Sequence, residues 1–199
     1  MTDAKAELRR RIYGLRDELS YDQRLSFSQD IAKNFMAISE LAAAKTVALY
    51  ANIRSEVITR PLIDMLFGQD KVLAMPRADR TLGSLIFHRV KDPDTELCQG
   101  SWGIPEPDPS KTEKLELADL DIVVVPGVAF DRKGGRLDAG GGYFERLFSS
   151  LRFGVLRVGL AFTIQIVPRV PVGPNEPLID VVVTEQDVIR IKAVDKSNL

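Results

Sequence analysis

The residues most able to do chemistry lie in segment 121–151, where an apolar run leads into a glycine-rich loop. The loop glycines are Gly134, Gly135, Gly140, Gly141 and Gly142. Glycine tolerates positive φ and lets successive backbone N–H groups approach an anion closely. Apolar residues recur at helical spacing after the loop, so we expect a helix to begin near Gly141 or Gly142 and to add its positive N-terminal partial charge. The segment therefore predicts a phosphate-binding site.

Three cations in the same loop strengthen this interpretation. Arg132, Lys133 and Arg136 follow the predicted strand, and an arginine can bind phosphate through two parallel hydrogen bonds. The opposite interpretation stays open, because glycine clusters also form plain turns and loop cations are usually solvated. The loop matches neither the G-x-x-x-x-G-K-[ST] pattern nor the G-x-G-x-x-G pattern of nucleotide sites.

Lys5 and Arg9 form a second candidate pair of phosphate ligands. They stand four residues apart in a helical pattern, so both side chains lie on one helix face. The alternative is that they are solvated charges, as we expect for Arg10, Arg11 and Arg16 of the same helix.

Two carboxylates are placed where ligands bind in α/β domains. Glu56 follows a predicted strand, and the carboxyl ends of strands hold the ligand in such folds. It could hold amino groups or steer a proton, or it could be an exposed loop residue. Glu145 falls in the first turn of the predicted helix, where it could bind Mg²⁺ together with phosphates. The alternative is a carboxylate that only complements the helix dipole.

Trp102 is the only tryptophan and stands in a polar, proline-rich stretch. Its flat ring could stack on an aromatic ligand, or it could anchor the loop to the core. His88 is the only histidine and Cys98 the only cysteine, and neither has a companion at the spacing of metal ligands. A zinc site and a Ser-His-Asp triad are therefore not expected.

Two helices are predicted at the start of the chain, over Asp3–Leu19 and Tyr21–Ile38. Ser20 and Gln23 form a capping-box pattern at the start of the second helix. The apolar face of the first helix is predicted to consist of Leu8, Ile12, Leu15 and Leu19.

The rest of the chain alternates between strand and helix patterns. Strands are predicted over Lys45–Ala51, Lys71–Met75, Ser84–Val90, Asp121–Val125, Leu156–Phe162 and Ile179–Thr184. A further helix is expected from Thr59 or Pro61 to Gly68, and long loops over Asp92–Glu113 and Val167–Pro177. Asp187–Ala193 is predicted to be a last strand or a short tail. This order predicts an α/β fold, a single three-layer domain with a mainly parallel sheet flanked by helices.

Composition narrows the function classes. At 199 residues and a formal net charge of -1, the chain is expected to be one domain over residues 1–199 and not a general nucleic-acid binder. No apolar run reaches the ~18–20 residues of a membrane span, and the N-terminus lacks the apolar core of a signal peptide. We expect no membrane partner and a cytoplasmic monomer, whose single cysteine excludes an internal disulfide.

The segment VVPGVAFDRKGGRLDAGGGYFERL resembles the signature of the 5-formyltetrahydrofolate cyclo-ligase family, also called methenyltetrahydrofolate synthetase. That family carries P-G-x-A-F-D followed by G-x-R-L-G-x-G-G-G-Y-Y-D-R. Shorter matches cover nearly the whole chain: Lys5-x-x-Leu8-Arg9, Tyr50 with Glu56 and Thr59, Met75-Pro76-Arg77, Gly103-Ile104-Pro105-Glu106-Pro107, Val158-Gly159-Leu160-Ala161 and Val182-Val183-Thr184-Glu185.

The resemblance implies an ATP- and Mg²⁺-dependent cyclisation of 5-formyltetrahydrofolate to 5,10-methenyltetrahydrofolate, with release of ADP and phosphate. It implies that ATP is bound by Lys5, Arg9, Arg136, Gly140, Gly141, Gly142 and Tyr143. It implies that the folate lies against Tyr50, Glu56, Trp102 and Tyr143. Glu56 and Arg136 would be catalytic and Glu145 would hold the metal.

The sequence departs from the family pattern within the signature itself. Asp138 stands where the family has glycine, followed by Ala139, and Phe144 and Glu145 replace a tyrosine and an aspartate. Near the C-terminus, Asn175-Glu176 replaces a His-Asp pair. Two alternatives therefore stay open: a paralogue with altered or lost activity, and a regulatory protein that binds a nucleotide or sugar phosphate on the same fold.

Overall fold

The computed structural model describes residues 2–173 and 176–191. Within them the α-helices are α1 (Thr2–Asp17), α2 (Tyr21–Met36), α3 (Glu40–Ala43), α4 (Arg60–Phe67) and α5 (Tyr143–Ser150). The capping box is confirmed, because Gln23 N donates to Ser20 Oγ at 3.2 Å and Ser20 N to Gln23 Oε1 at 2.9 Å. None of the helices described is both long and apolar enough to cross a membrane.

The strands are β1 (Thr46–Ala48), β2 (Val72–Asp79), β3 (Ser84–Val90), β4 (Leu97–Gln99), β5 (Pro105–Pro107), β6 (Glu113–Leu115), β7 (Ile122–Val125), β8 (Ala129–Asp131), β9 (Arg136–Leu137), β10 (Leu156–Leu160), β11 (Ile166–Val167), β12 (Val181–Val183) and β13 (Val188–Arg190). The main sheet has the order β13-β12-β10-β7-β1-β2-β3-β6. The strands from β12 to β2 pair in parallel, and the outer strands are antiparallel. The predicted α/β fold with a mainly parallel sheet is confirmed.

Both faces of the sheet are covered, which explains the continuous apolar runs of its strands. Val47 and Val124 face one hydrophobic cluster, in which α2 and α4 pack. Their neighbours Ala48 and Val123 face the other cluster, in which α5 packs. The result is the predicted three-layer arrangement.

The predicted apolar face of α1 is wrong in part. Ile12 is buried, but Leu15 is 40% exposed and Arg16, four residues after Ile12, is only 3% exposed. The reason is that Ile12 belongs to a hydrophobic cluster outside the main sheet, together with Val128 and with Leu137 of β9. Contacts with that cluster decide which face of the helix is buried, and they select a face that contains a charge.

Three predicted boundaries also change. Asp92–Glu113 is not one long loop, because it contains the antiparallel pair β4 and β5 and the 3₁₀ turn Ser101–Gly103. Val167–Pro177, of which residues 174 and 175 lie outside the described part, begins within β11. β2 continues through Pro76 to Asp79 because it stays paired with β3, although its pairing with β1 ends at Ala74.

Candidate active site

A cavity of about 220 Å³ opens at the carboxyl ends of β1 and β7. The chain continues from β1 to β2 on one side, while β7, β10 and β12 lie on the other, so the strand order reverses between β1 and β7. Ligands of open α/β sheets bind at such switch points. Tyr50 and Pro126, which follow these two strands, both line the cavity.

One side of the cavity, here called the aromatic wall, consists of Tyr50, Glu56, Trp102 and Tyr143. The rings of Trp102 and Tyr143 meet edge to face, with centroids 5.7 Å apart. Trp102 is 64% exposed, so it does not anchor its loop to the core. A flat ring entering the cavity would therefore meet an indole that is still largely accessible.

Glu56 lines the aromatic wall and is half-buried, so the alternative of an exposed loop residue is wrong. Its Oε2 accepts a hydrogen bond from Ile53 N at 3.0 Å. Burial raises the pKa of the Glu56 carboxyl, and the Ile53 N–H and the charge of Arg16 only partly oppose this. Burial likewise raises the pKa of Tyr50, and the charge of Glu56 adds to the shift. A carboxyl with a raised pKa in a cleft is suited to proton transfer near neutral pH.

Arg16 and Tyr13 of α1 lie next to this wall, and no local sequence pattern indicates either. The Arg16 guanidinium donates to Ser55 Oγ at 3.1 Å and to Gly127 O at 3.4 Å, and it lies 5.3 Å from the Tyr13 ring centroid. Tyr13 itself lines the cavity. The expectation that Arg16 is solvated is wrong because α1 lies across the loops around the cavity.

The glycine-rich loop is divided into two parts with different roles. Asp131 is buried and its Oδ1 accepts hydrogen bonds from Lys133 N at 2.8 Å and Gly135 N at 2.9 Å. Gly134 O accepts a hydrogen bond from Ile179 N at 2.9 Å, so the first glycines form a structural turn. β9 then separates them from the second cluster. The prediction of a single anion-binding loop is therefore too broad.

The second glycine cluster adjoins the cavity and leads into α5. Gly140 has φ +109° and Gly142 has φ +68°, values that glycine adopts without strain. Gly141 and Gly142 line the cavity, whereas Gly140, which precedes them in the sequence, does not. Arg146 Nε holds the loop by donating to Gly83 O at 2.6 Å, and its Nη2 donates to Gly141 O at 3.1 Å.

Lys5, Arg9, Arg136 and Gly140–Gly142 are here grouped as the phosphate wall, of which Arg136, Gly141 and Gly142 line the cavity. Each of its three cations is paired with a carboxylate. Lys5 Nζ lies 2.6 Å from Glu176 Oε1, and Arg9 Nη2 lies 3.3 Å from Asp138 Oδ1. Arg136 Nη2 pairs with Glu145 Oε1, and its Nη1 donates to Pro126 O at 2.9 Å. The interpretation of Lys5 and Arg9 as solvated charges is thus wrong.

The Asp138 carboxylate lies at the start of α5. Its Oδ2 accepts a hydrogen bond from Gly142 N at 3.3 Å, and its carbonyl accepts one from Arg9 Nε at 2.8 Å. Burial opposes ionisation, but the N–H groups of Gly142 and Gly140 and the charge of Arg136 keep the pKa of Asp138 below its usual value. Its backbone is not in the left-handed region, which among described non-glycine residues holds only Arg54 and Trp102.

The three carboxylates that pair with the cations of the phosphate wall, Glu145, Asp138 and Glu176, all act on Arg136. Burial lowers the pKa of the Arg136 guanidinium, and the charges of Glu145, Asp138 and Glu176 oppose this shift. Arginine stays protonated under all such conditions. Lys5 holds the pKa of Glu176 below its usual value against the effect of burial, while Asp138 acts in the opposite direction. The two carboxylates are therefore close enough to repel each other.

Glu145 was predicted to hold Mg²⁺. Its Oε2 is buried and accepts no hydrogen bond within the described part of the chain, so one oxygen is available for a cation. In residues 2–173 and 176–191, no three acidic, histidine or cysteine side chains cluster as a metal site. A magnesium ion would need phosphate oxygens as further ligands, which is its usual mode of binding beside nucleotides.

Comparisons with known proteins identify the family. The model of the 5-formyltetrahydrofolate cyclo-ligase family matches residues 1–185. A 5-formyltetrahydrofolate cyclo-ligase of Haemophilus influenzae is 34% identical over 185 residues, which cover 92% of this chain and 98% of that protein. The chain belongs to this family.

Solved structures of family members have the same fold. The NMR structure of 5,10-methenyltetrahydrofolate synthetase from Aquifex aeolicus is 34% identical and superposes with a TM-score of 0.83 over 95% of this chain and 93% of that one. A synthetase from Mycoplasma pneumoniae is 22% identical, with a TM-score of 0.73 over 91% of this chain and 98% of that one, and shows the shared fold.

In this cyclo-ligase family member, most of the predicted site residues meet at one cavity. Arg136, Glu56, Tyr50, Trp102, Tyr143, Gly141, Gly142 and Glu145 line it. Arg9 pairs with Asp138, which lines the cavity, whereas Lys5 pairs with Glu176, which does not. Arg132 lies apart and pairs with Asp187 at 3.6 Å. Asn175 lies outside the described residues.

Proposed function

We propose that this protein cyclises 5-formyltetrahydrofolate to 5,10-methenyltetrahydrofolate with hydrolysis of ATP to ADP and phosphate. Family membership supports the reaction. The observation that carries the proposal is that one cavity adjoins both a cationic, glycine-rich wall and an aromatic wall with a half-buried carboxyl. Those are the two kinds of surface that a triphosphate and a pterin require.

The chemistry explains why the two walls are adjacent. The formyl oxygen is a poor leaving group, and transfer of the γ-phosphoryl group of ATP to that oxygen makes it a good one. N10 of the folate then attacks the formyl carbon and loses its proton, while phosphate departs. The protein must hold both substrates in line and stabilise charge, which needs no covalent nucleophile.

We assign ATP binding to the phosphate wall together with Tyr143. Arg9, Lys5 and the N–H groups of Gly140–Gly142 would hold phosphate oxygens once their present carboxylate partners give way. Arg136 would stabilise charge at the transferred phosphoryl group, since a guanidinium can make two parallel hydrogen bonds to phosphate.

We assign folate binding to the aromatic wall. Trp102 and Tyr143 would contact the pterin, and the buried Tyr50 would close the inner end of the cavity. Glu56 would act as the catalytic carboxylate near the reacting nitrogens. Its burial, which raises its pKa, suits it to accept the proton that leaves N10.

Mg²⁺ would be held by Glu145 through its free buried oxygen, together with the phosphates of ATP. When bound, the ion would neutralise charge on the phosphate oxygens. We further propose that residues 1–199 act as one domain, as a cytoplasmic monomer whose partners are the two small-molecule substrates.

The deciding experiment mixes purified protein with 5-formyltetrahydrofolate, ATP and Mg²⁺, and follows the absorbance of methenyltetrahydrofolate and the release of ADP. Both signals should rise together and depend on all three additions. ATP binding without product would instead favour the nucleotide-binding regulator. Folate binding without turnover would favour a paralogue that has lost the reaction, an alternative suggested by the carboxylates that occupy the phosphate wall.

A further inference from the structure

Trp102 has an unusual backbone conformation for a bulky residue. It lies in the 3₁₀ turn Ser101–Gly103 with φ 56° and ψ 21°, in the left-handed region. Bulky residues rarely adopt these angles, and they persist only where the surrounding structure imposes them. Because the indole is 64% exposed, burial of the side chain does not provide the constraint.

The constraint comes from Glu106, a buried carboxylate beneath the turn. Glu106 lies in β5 and is 4% exposed. Its Oε1 accepts a hydrogen bond at 3.1 Å from the backbone N–H of Ser101, which directly precedes Trp102. Its Oε2 lies 3.6 Å from Arg77 Nη1, and the same nitrogen donates to Pro107 O at 3.2 Å. The carboxylate therefore connects the turn to a fixed arginine of the main sheet.

The fit between the turn and the carboxylate is close. A Cβ added at Gly100 would lie 2.3 Å from Glu106 Cδ, so only glycine lets the backbone rest on the carboxyl group. Gly100 N donates to Ile104 O at 2.9 Å, which closes the turn on its other side. Ser101–Gly103 is thus fixed at its base, although its tip is exposed.

We propose that Glu106 is a positioning residue that holds Trp102 at the mouth of the cavity, where the indole meets the flat ring of the substrate. The proposal rests on the proposed function for the identity of that substrate. Glu106 acts through the Ser101 N–H and the turn, while Trp102 makes the contact. The edge-to-face contact with Tyr143 at 5.7 Å depends on the same placement.

The first test needs no substrate, because Trp102 is the only tryptophan and its fluorescence reports on this turn alone. Glu106→Ala should change the emission maximum and the quenching by acrylamide of the ligand-free protein. Glu106→Gln keeps an acceptor for Ser101 N and should stay close to wild type. Glu113→Ala removes an exposed carboxylate of β6 and is the matched control. Unchanged emission and quenching in Glu106→Ala would overturn the proposal.

The second test separates positioning from general stability. Glu106→Ala should raise KM for 5-formyltetrahydrofolate about tenfold, the effect of one lost charged hydrogen bond, with kcat and KM for ATP within about twofold. In a Trp102→Ala background the same substitution should have almost no further effect, because both changes remove one interaction. An equal rise in KM in both backgrounds would show that Glu106 does not act through Trp102.

Further variants keep the proposal testable if Glu106→Ala does not fold. Gly100→Ala places a methyl group against the carboxyl and should reproduce the fluorescence change and the rise in KM. Wild-type behaviour of Gly100→Ala would contradict the proposal. If wild-type protein makes no methenyltetrahydrofolate, the proposed function fails, while the ligand-free fluorescence of the same variants still decides whether Glu106 holds Trp102.

Discussion

The two walls of the cavity manage charge in opposite ways. On the phosphate wall, each of Lys5, Arg9 and Arg136 already has a carboxylate partner in the ligand-free chain. On the aromatic wall, Glu56 is half-buried and has no ion-pair partner among the residues described, and its partial burial raises the pKa of its carboxyl. The charges of the phosphate wall are therefore paired. The aromatic wall instead holds a carboxyl whose desolvation lowers the stability of the fold.

This difference implies two different modes of substrate binding. A triphosphate must replace the carboxylates of Glu176 and Asp138, so its affinity is the difference between two sets of charged contacts. A pterin enters an existing cavity and provides hydrogen-bonding partners for a desolvated carboxyl. Titratable groups whose charged form is destabilised by burial are typical of sites that act on a ligand.

The largest expected effect comes from Arg136→Ala. The substitution leaves the half-buried Glu145 without its partner and Pro126 O without a donor, and because Glu145 is 33% exposed the cost lies below the ~3–5 kcal/mol of a fully buried pair. Thermal unfolding should shift strongly downward, and ATP use should fall roughly 10- to 150-fold, far more than folate affinity. Calorimetric unfolding measures the change in unfolding temperature, and titration of each substrate measures the changes in ATP use and folate affinity.

Arg60→Ala is the control for Arg136→Ala, because it removes an arginine whose ion pairs with Asp64 and Asp94 are exposed. Exposed pairs contribute about 0–1 kcal/mol, so its unfolding temperature should barely change. If KM for ATP and turnover are the same in Arg136→Ala and wild type, Arg136 does not belong to the phosphate wall.

Glu56→Gln tests the other wall. It keeps the shape of the side chain and removes its charge, so folding and ATP binding should be retained while folate affinity or turnover falls roughly 10- to 150-fold. Fluorescence titration with 5-formyltetrahydrofolate and the methenyl absorbance assay measure the two steps. Survival of both would mean that the folate pocket lies elsewhere.

Asp138→Gly sharpens the comparison with a smaller effect. Two unit charges ~6 Å apart interact by roughly 3 kcal/mol at an effective dielectric of 20, and solvent and salt reduce this to ~1 kcal/mol. Removing the carboxylate also frees Arg9 and the Gly142 N–H for phosphate. ATP should therefore bind about fivefold tighter in calorimetry, with and without Mg²⁺. Asp138→Asn separates the effect of charge from that of the hydrogen bonds.

Asp138 has an alternative role that the same calorimetry would reveal. If ATP binds more weakly to Asp138→Gly only when Mg²⁺ is present, Asp138 assists Glu145 as a metal ligand and repulsion is excluded. If neither condition changes the affinity, the phosphates do not lie near Asp138.

The smallest expected effect is a change in the pH dependence of stability. The folded-state pKa of Glu56 is raised, so between its unfolded and folded pKa values the native state binds more protons, and stability falls as pH rises. Glu56→Gln should remove this loss and slightly raise the free energy of unfolding at neutral pH. Urea unfolding of both proteins across this range measures it, and an identical pH profile would contradict the burial of an ionisable Glu56.

Local sequence patterns determined much of the frame. The capping box at Ser20, the apolar runs of the parallel strands and the glycines before Tyr143 predicted elements that the structure contains. These features depend on neighbouring residues and on a fixed helix or strand period, so they can be predicted from a single sequence. The signature around Arg136 identified the family for the same reason, since its residues are contiguous.

Contacts between distant residues were decided only by the tertiary structure. The pairing of Lys5 with Glu176 spans 171 positions and that of Arg9 with Asp138 spans 129. Nothing in the local sequence of α1 indicates that Arg16 is buried. Nothing in the sequence around Trp102 indicates that the Glu106 carboxylate lies beneath its turn. From sequence alone, these charged side chains are predicted to be solvated. In the structure, α1 packs across the loops and β5 packs beneath the turn, and this packing removes water from around them. Sequence thus determined which groups are present, and packing determined which of them are desolvated, paired and placed at the cavity.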